Sequence, residues 1–485
     1  MIHIARVSGR PRKTSKRLVT REGAATIAKM AATLAVALAL GSCASQIGVG
    51  AYDAQTRFTP EELRGDFRRF RHALENEAIG LYADHRRLGS MLDEAESGLV
   101  EPMTELEFFR RLSPLVAELH CGHSSLSLSK RAERRMRKEG LFFPLELRIY
   151  GERLFVIKDR YATGIALGSE ILAINEKPAA EIIDAILSRM TSDGKDRGRL
   201  RYDAERHFAA MYQGYIDAPE RFALRLRRPG ELLDRLEEVQ AVQDAALAKT
   251  PLAIMRDTLN APYGGTIGES HAILVIPCFG ISDTKAYASW LEGFFEELKE
   301  KKIPSLILDL RGNYGGSPEP TVELFKYLID RPLPFFAEDN PIYLAPWKTA
   351  TKPSPSRFSG SLYVLMDEAG FSMNGFLLSL LKYHKIGTLI GAASSGGYRC
   401  SDASRETTLP ATGLRLIYST RAFSVAVEGQ ESGVGVAPDI AVSPTLEDWI
   451  SGRDPVLETA LSLAGPLSIR ENSISRSRHC SRQND

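Results

Sequence analysis

The sequence predicts an α/β protein, and three features carry that prediction. From His271 onward, short apolar runs alternate with helix-like segments in a repeated strand, turn, helix layout. One run, Leu306-Ile307-Leu308, is apolar without alternation, as in a parallel strand covered on both faces. Directly after it comes Asp309-Leu310-Arg311-Gly312-Asn313-Tyr314-Gly315-Gly316, whose glycines suit a tight turn with backbone amides turned toward a ligand.

The elements follow in order. Residues 1–43 open with Arg6, Arg10, Arg12, Lys13, Lys16, Arg17, Arg21 and Lys29, then an apolar run from Met30 to Leu40. Basic residues before a short apolar run are the order of a secretory signal, and the run is too short to span a bilayer. It ends in Leu40-Gly41-Ser42-Cys43, which resembles a bacterial lipobox, so Cys43 is the expected lipidation site. The expectation is a chain held in the cell envelope by an N-terminal lipid anchor. An ordinary signal peptide with a chance cysteine is the alternative.

Residues 58–130 read as a helical domain: Thr59-Pro60-Glu61-Glu62 offers an N-cap, an N1 proline and an acidic first turn. Residues 140–245 change to alternating runs such as Leu145-Glu146-Leu147-Arg148-Ile149, the mark of strands. Within them, Ala166-Leu167-Gly168-Ser169-Glu170-Ile171-Leu172-Ala173-Ile174-Asn175 resembles the second half of a PDZ domain, a module that adds a peptide strand to its sheet edge. A ligand-free β-subdomain is the alternative, and the charged stretch from 195 reads as its end and a connector. In residues 265–464, the α/β core, a helix is expected from Thr284 to Lys301 and another from Gly375 to Tyr383, with strands at Leu362 to Met366 and Thr388 to Ile390. Residues 465–485 are a polar tail.

Composition narrows the function. The 485 residues are ample for several domains, and 44% hydrophobic with 25% charged excludes collagen-like and wholly disordered readings. Net charge is +1, but the leader holds eight of the 62 basic residues and one of the 61 acidic ones, so the remainder is mildly acidic. That argues against a nucleic-acid partner. The cysteines after Cys43 (Cys121, Cys278, Cys400 and Cys480) show no Cys-x-x-Cys pair, and no HExxH occurs, so no metal site is expected. A disulfide between Cys121 and Cys400 stays open.

Ser372, in Gly370-Phe371-Ser372-Met373-Asn374-Gly375, stands between an expected strand and helix, where a serine is an N-cap or a nucleophile. The spacing is not the Gly-x-Ser-x-Gly of α/β-hydrolases. A nucleophilic serine needs a base, for which His123 and His120 in His120-Cys121-Gly122-His123-Ser124 compete. The base needs an acid, for which Glu431 and Glu428 near the end of the core are candidates.

Together these segments resemble the S41 serine peptidases, the C-terminal processing proteases and the tricorn core. His120-Cys121-Gly122-His123-Ser124 is similar to the family's D-G-H-T/S motif, Leu308 to Gly316 to its D-L-R-x-N-x-G-G signature, and Leu409-Pro410-Ala411-Thr412-Gly413 and Gly435-Val436-Ala437-Pro438-Asp439-Ile440 to its L-P-x-S/T-G and G-V-x-P-D-I segments. The resemblance implies a crotonase/ClpP-like α/β spiral core with a helical cap and a PDZ-like insert. Processing proteases use a lysine about 25 residues after the serine, where this chain has Gly397, so the tricorn-like pattern with a histidine base is implied. It assigns Ser372 as nucleophile, His123 as base and Glu431, or Glu428, as its orienting acid. Met373 and Gly315 or Gly316 supply oxyanion amides, with no cofactor and a polypeptide substrate. Met373-Asn374-Gly375 departs from the family, which commonly has small residues and an acid there, and Glu431 lies one residue farther from Gly435 than the usual acid. A non-catalytic binding protein on the same fold, or an esterase, are the competing functions.

Overall fold

The computed structural model describes residues 53–249 and 259–465, so the leader with Cys43, Cys480 and the tail from residue 466 lie outside the described residues. Helix α1 (Pro60–His72) begins as its sequence requires: the Thr59 side chain accepts the Glu62 amide while the Glu62 carboxylate takes the Thr59 amide. Helices α2 (His85–Ser97) and α3 (Glu105–Ala117) follow, and Thr104 and Glu107 close the same box at the start of α3. Leu63, Phe67, Phe70, Leu92, Phe108 and Leu112 fill the space between them and are fully buried.

This helical region is tied into the rest of the chain. Strand β1 (Ser125–Ser127), just past the His123 loop, pairs with Arg415–Tyr418 near the other end, and helix α4 (Lys130–Glu139) follows it. Asp66 of α1, fully buried, accepts the Ala411 amide at 2.8 Å and the Thr412 amide and hydroxyl at 2.8 and 2.6 Å. The Leu409-Pro410-Ala411-Thr412-Gly413 segment is therefore a docking turn for α1, and Ala54 onward behaves as one compact unit. Asp66→Ala strands those donors in a dry contact and should lower stability by about 3 kcal/mol, read as a lower urea midpoint with an unchanged m-value.

The next strands, β2 (Leu145–Tyr150), β3 (Arg153–Asp159) and β4 (Glu170–Ile174), form an antiparallel sheet with helix α5 (Ala179–Leu187) against it. The charged stretch from 195, expected to be the end of this module and a connector, folds into α6 (Gly198–Arg206), α7 (Phe208–Tyr215) and two more strands of this sheet, β5 (Arg221–Arg227) and β6 (Arg235–Gln240). The reason is legible in Arg221-Phe222-Ala223-Leu224-Arg225-Leu226-Arg227: Phe222, Leu224 and Leu226 all turn inward, and the arginines between them face solvent.

The core sheet runs β7 (Gly264–Ile267), β8 (Ala272–Val275), β9 (Ser305–Asp309), β10 (Ser361–Met366), β11 (Thr388–Gly391) and a short last strand at Ile440–Ala441, in that spatial order. All neighbours are parallel except β7 and β8. Helices α8 (Thr284–Glu300), α9 (Pro318–Leu328) and α10 (Met373–His384) cover one face, and α11 (Pro455–Ala464) covers the other through Val456 and Ala460 against Ile307, Leu365 and Ile390. The turns at the carboxyl ends of β9 and β10 thus meet at one edge of a parallel sheet, where α/β folds place their ligands.

Candidate active site

The Asp309–Gly316 turn leaves β9 and is bolted down by its own side chains. Arg311 pairs with Asp309 at 2.7 Å and with Asp454, the cap of α11, at 2.8 Å. Gly312 donates its amide to Asp367 at the end of β10, whose carboxyl burial pushes up to about 6. Tyr314 donates to the buried Asp203 at 2.6 Å, and Asp203 pairs with the equally buried Arg199. Gly315 and Gly316 hold φ of +98° and +144°, and a Cβ on Gly316 would lie 2.1 Å from the Gly280 nitrogen, so no larger residue fits.

Ser372 stands on the turn between β10 and α10 with φ +53° and ψ −126°, a conformation that L-residues avoid. Such strain is kept where the surrounding chain imposes it, as at the nucleophile elbows of other strand-to-helix turns. Here Asn374 imposes it: its side-chain nitrogen donates to the carbonyls of Asn313 at 2.9 Å and Leu310 at 3.2 Å, and Gly375 presses against the backbone of Gly396. The departure at Met373-Asn374-Gly375 is thus a structural lock between the two turns. No side-chain cap is formed by Ser372.

His123 meets this serine, with Nε2 to Ser372 Oγ at 3.1 Å. Its ring packs on Phe371 with centroids 4.6 Å apart, and Arg199 lies over the same Phe371 ring at 4.1 Å. His120 points elsewhere, toward Glu118 at 3.9 Å, and is 42% exposed in its side chain. Geometry therefore brings His123, and not His120, to Ser372.

The acid expected at Glu431, with Glu428 beside it, shows no contact with His123 among the described residues. Both are exposed, and neither makes a hydrogen bond or ion pair among the described residues. Their loop is pinned by backbone: Lys195 donates to the Gly433 carbonyl at 3.3 Å, and the Ser432 hydroxyl meets Tyr82 at 3.3 Å. The carboxylate that reaches the His123 neighbourhood is Asp193, 2% exposed, on a loop stitched to the histidine loop by Gly194 to the His120 carbonyl at 3.0 Å and Thr191 to that of Ser124 at 2.7 Å. Asp193 Oδ1 accepts the Gly122 amide at 2.8 Å, while its Oδ2 and His123 Nδ1 are both buried without a partner. Burial pushes the Asp193 carboxyl up and the His123 ring opposes that rise. Asp402, 48% exposed, stands 3.8 Å from Nε2 at the rim. Ligand atoms of His123, Asp193 and Cys400 lie within 4.8 Å of one another, a grouping that could hold a metal ion. Sequence spacing carries no trace of it, since His123 and Asp193 come from separate loops and Cys400 from a strand over 200 residues farther on. The thiols of Cys121 and Cys400 are free.

The oxyanion candidates also separate. The Gly315 amide is spent on Asn313 Oδ1 at 2.7 Å, whereas the Gly316 and Met373 amides have no acceptor among the described residues. Met373 opens α10, so its free amide stands at the positive end of a helix. A cavity of about 480 Å³ lies behind the histidine strand, lined by His123, Met190, Met211 and Arg189, but Ser372 does not line it.

Comparison with known proteins agrees with this arrangement. Residues 271–442 match the model of Peptidase family S41. Over 223 residues the chain is 29% identical to a tricorn protease homologue of Streptomyces coelicolor, a match that covers 44% of this chain and 16% of that protein's length. The crystal structure of mature CPAF shares the fold with a TM-score of 0.60 at 15% identity, covering 82% of this chain and 96% of that one. Mature CPAF complexed with lactacystin gives 0.59 at 15% identity, over 84% of this chain and 98% of that one. The turn that carries Ser372, the Gly316 and Met373 amides and the parallel strands of the sheet all fall within residues 271–442, the stretch that matches the model of Peptidase family S41.

Proposed function

We propose that this protein is a serine endopeptidase that cuts exported polypeptides, with Ser372 as nucleophile. The observation that carries the reading is the 3.1 Å contact between His123 Nε2 and a serine held at φ +53°. His123 takes the Ser372 proton as Oγ attacks a peptide carbonyl, then returns it to the leaving amine. The oxygen that becomes negative is received by the Met373 and Gly316 amides, and each such donor is worth about 10²- to 10³-fold in rate. Asp193 is the acid that holds the ring: its Oδ2 and the ring Nδ1 are both buried without a partner in one cluster of residues, and bonds of this kind are often long before substrate binds. No step calls for a cofactor.

The antiparallel sheet of residues 145–240 with α5 supports a PDZ-like module that presents polypeptide to this site by strand addition. The basic leader and Leu40-Gly41-Ser42-Cys43 support an envelope location with Cys43 lipidated. Metabolic labelling with palmitate checks the anchor: label should enter the chain and be lost in Cys43→Ser, and an unlabelled parent would refute it. The peptidase reading is tested with casein and a fluorophosphonate. The chain should cleave the first and be labelled by the second at Ser372; a chain inert to both would overturn it.

A further inference from the structure

We propose that His123, Asp193 and Cys400 form a site for a divalent cation that accepts a thiolate, with Zn²⁺ the best match, and that filling it switches off the Ser372 site. The site stands on its own geometry; the switching rests on the peptidase reading above.

One ligand atom from each residue lies within 4.8 Å of the others, and Asp193 and Cys400 are buried while His123 is partly so. Two of these groups carry atoms left unsatisfied, His123 Nδ1 and Asp193 Oδ2, and Asp193 is 2% exposed. The Cys400 thiol, 3% exposed, makes no hydrogen bond among the described residues. A buried carboxylate oxygen and a buried imidazole nitrogen without partners are costly, and a cation bonded to both removes that cost. Ligand atoms about 2.0–2.3 Å from a tetrahedral ion stand roughly 3.3–3.8 Å from one another, so the cluster must close by about 1 Å, which side-chain rotation can supply.

Charge and ligand type select the ion. One carboxylate and one thiolate neutralise a divalent charge, and binding releases the Cys400 proton to solvent. Sulfur, imidazole and carboxylate together suit Zn²⁺ or Co²⁺ and disfavour Mg²⁺ and Ca²⁺, which ask for oxygen.

The consequence for the serine follows from the tautomer. With Nδ1 on the metal, the neutral ring carries its proton on Nε2, which then donates to Ser372 Oγ at the 3.1 Å contact and can no longer take its proton. Asp193 is drawn away from the ring at the same time. The metal is an off-switch built on the atoms that make the base work.

The test uses the full chain carrying Ser372→Ala, which cannot digest itself and keeps every ligand, titrated with Co²⁺. One equivalent should produce a thiolate-to-cobalt charge-transfer absorption that is lost with Cys400→Ser and retained with Cys278→Ser or Cys480→Ser. Asp193→Asn, which keeps the size of the side chain and the thiol, should weaken Co²⁺ binding by at least the roughly 10- to 100-fold that losing an outer partner costs. In the chain with Ser372 intact, Zn²⁺ should abolish casein cleavage, a chelator should restore it, and Cys400→Ser should cleave normally but resist Zn²⁺. Absence of the band with excess Co²⁺, or its survival in Cys400→Ser, overturns the site. A parent that shows the band but cleaves nothing overturns the peptidase reading and the switch while leaving the site standing.

Discussion

Ser372→Ala should lower kcat for peptide hydrolysis by about 10⁶-fold, with KM changed little, because the hydroxyl is removed while the cleft that binds substrate stays intact. His123→Ala should cost nearly as much. The double variant should be no slower than either single one, since nucleophile and base act as one unit and neither works without the other. The 3.1 Å contact between Nε2 and Oγ is the basis for that non-additivity. Thermal unfolding separates this result from misfolding: Ser372 makes no cap hydrogen bond, and alanine keeps the same Cβ at φ +53°, so Tm should be unchanged. Additive losses would mean that His123 acts on something other than Ser372.

Asp193→Asn should lower kcat by about 10⁴-fold, the scale seen when the buried acid of a serine triad is made an amide. The asparagine oxygen can still accept the Gly122 amide, so the loop should keep its place. Its NH₂ donates to Nδ1, which drives the ring proton to Nε2, the wrong nitrogen for a base. KM should hold and fluorophosphonate labelling of Ser372 should slow in proportion to kcat, a split that loss of structure would not give. Glu431→Gln should change kcat by less than about twofold, as expected of an exposed acid with no partner. The reverse ranking would restore Glu431 as the orienting acid and remove Asp193 from the mechanism.

Local chemistry was legible wherever it repeats over a few residues. The continuous run Leu306-Ile307-Leu308 reads as a buried parallel strand because both its faces are covered, and it is one. Thr59-Pro60-Glu61-Glu62 reads as a helix start because the cap and the returning glutamate lie within one turn, and both bonds form. The two core helices expected at Thr284–Lys301 and Gly375–Tyr383 form within two residues of those ends, while Pro318–Leu328 and Pro455–Ala464 had not been picked out. The strands in the stretch after 195, read as the end of the module and a connector, were not picked out because charge outweighed alternation: Arg221, Arg225 and Arg227 hid a strand whose apolar face is Phe222, Leu224 and Leu226.

The site divides along the same line. Ser372 and the glycine turn before it are visible in sequence because a strand-to-helix junction is local, and so is the need for Gly315 and Gly316. His123 could be narrowed only to a pair, since His120 stands three residues away and a motif cannot say which ring turns inward. Asp193 left no trace, because nothing local distinguishes an aspartate in Ser192-Asp193-Gly194 from a solvated turn. What brings it to the histidine loop is a backbone bond from Gly194, a side-chain bond from Thr191 and the desolvation they enforce. Sequence by itself determined the parallel sheet, its turn chemistry and the serine. Only the tertiary structure brings His123 Nε2 to 3.1 Å from Ser372 Oγ, buries Asp193 against the histidine loop and spends the Gly315 amide on Asn313, because burial and contacts between segments far apart in sequence are encoded in no local pattern.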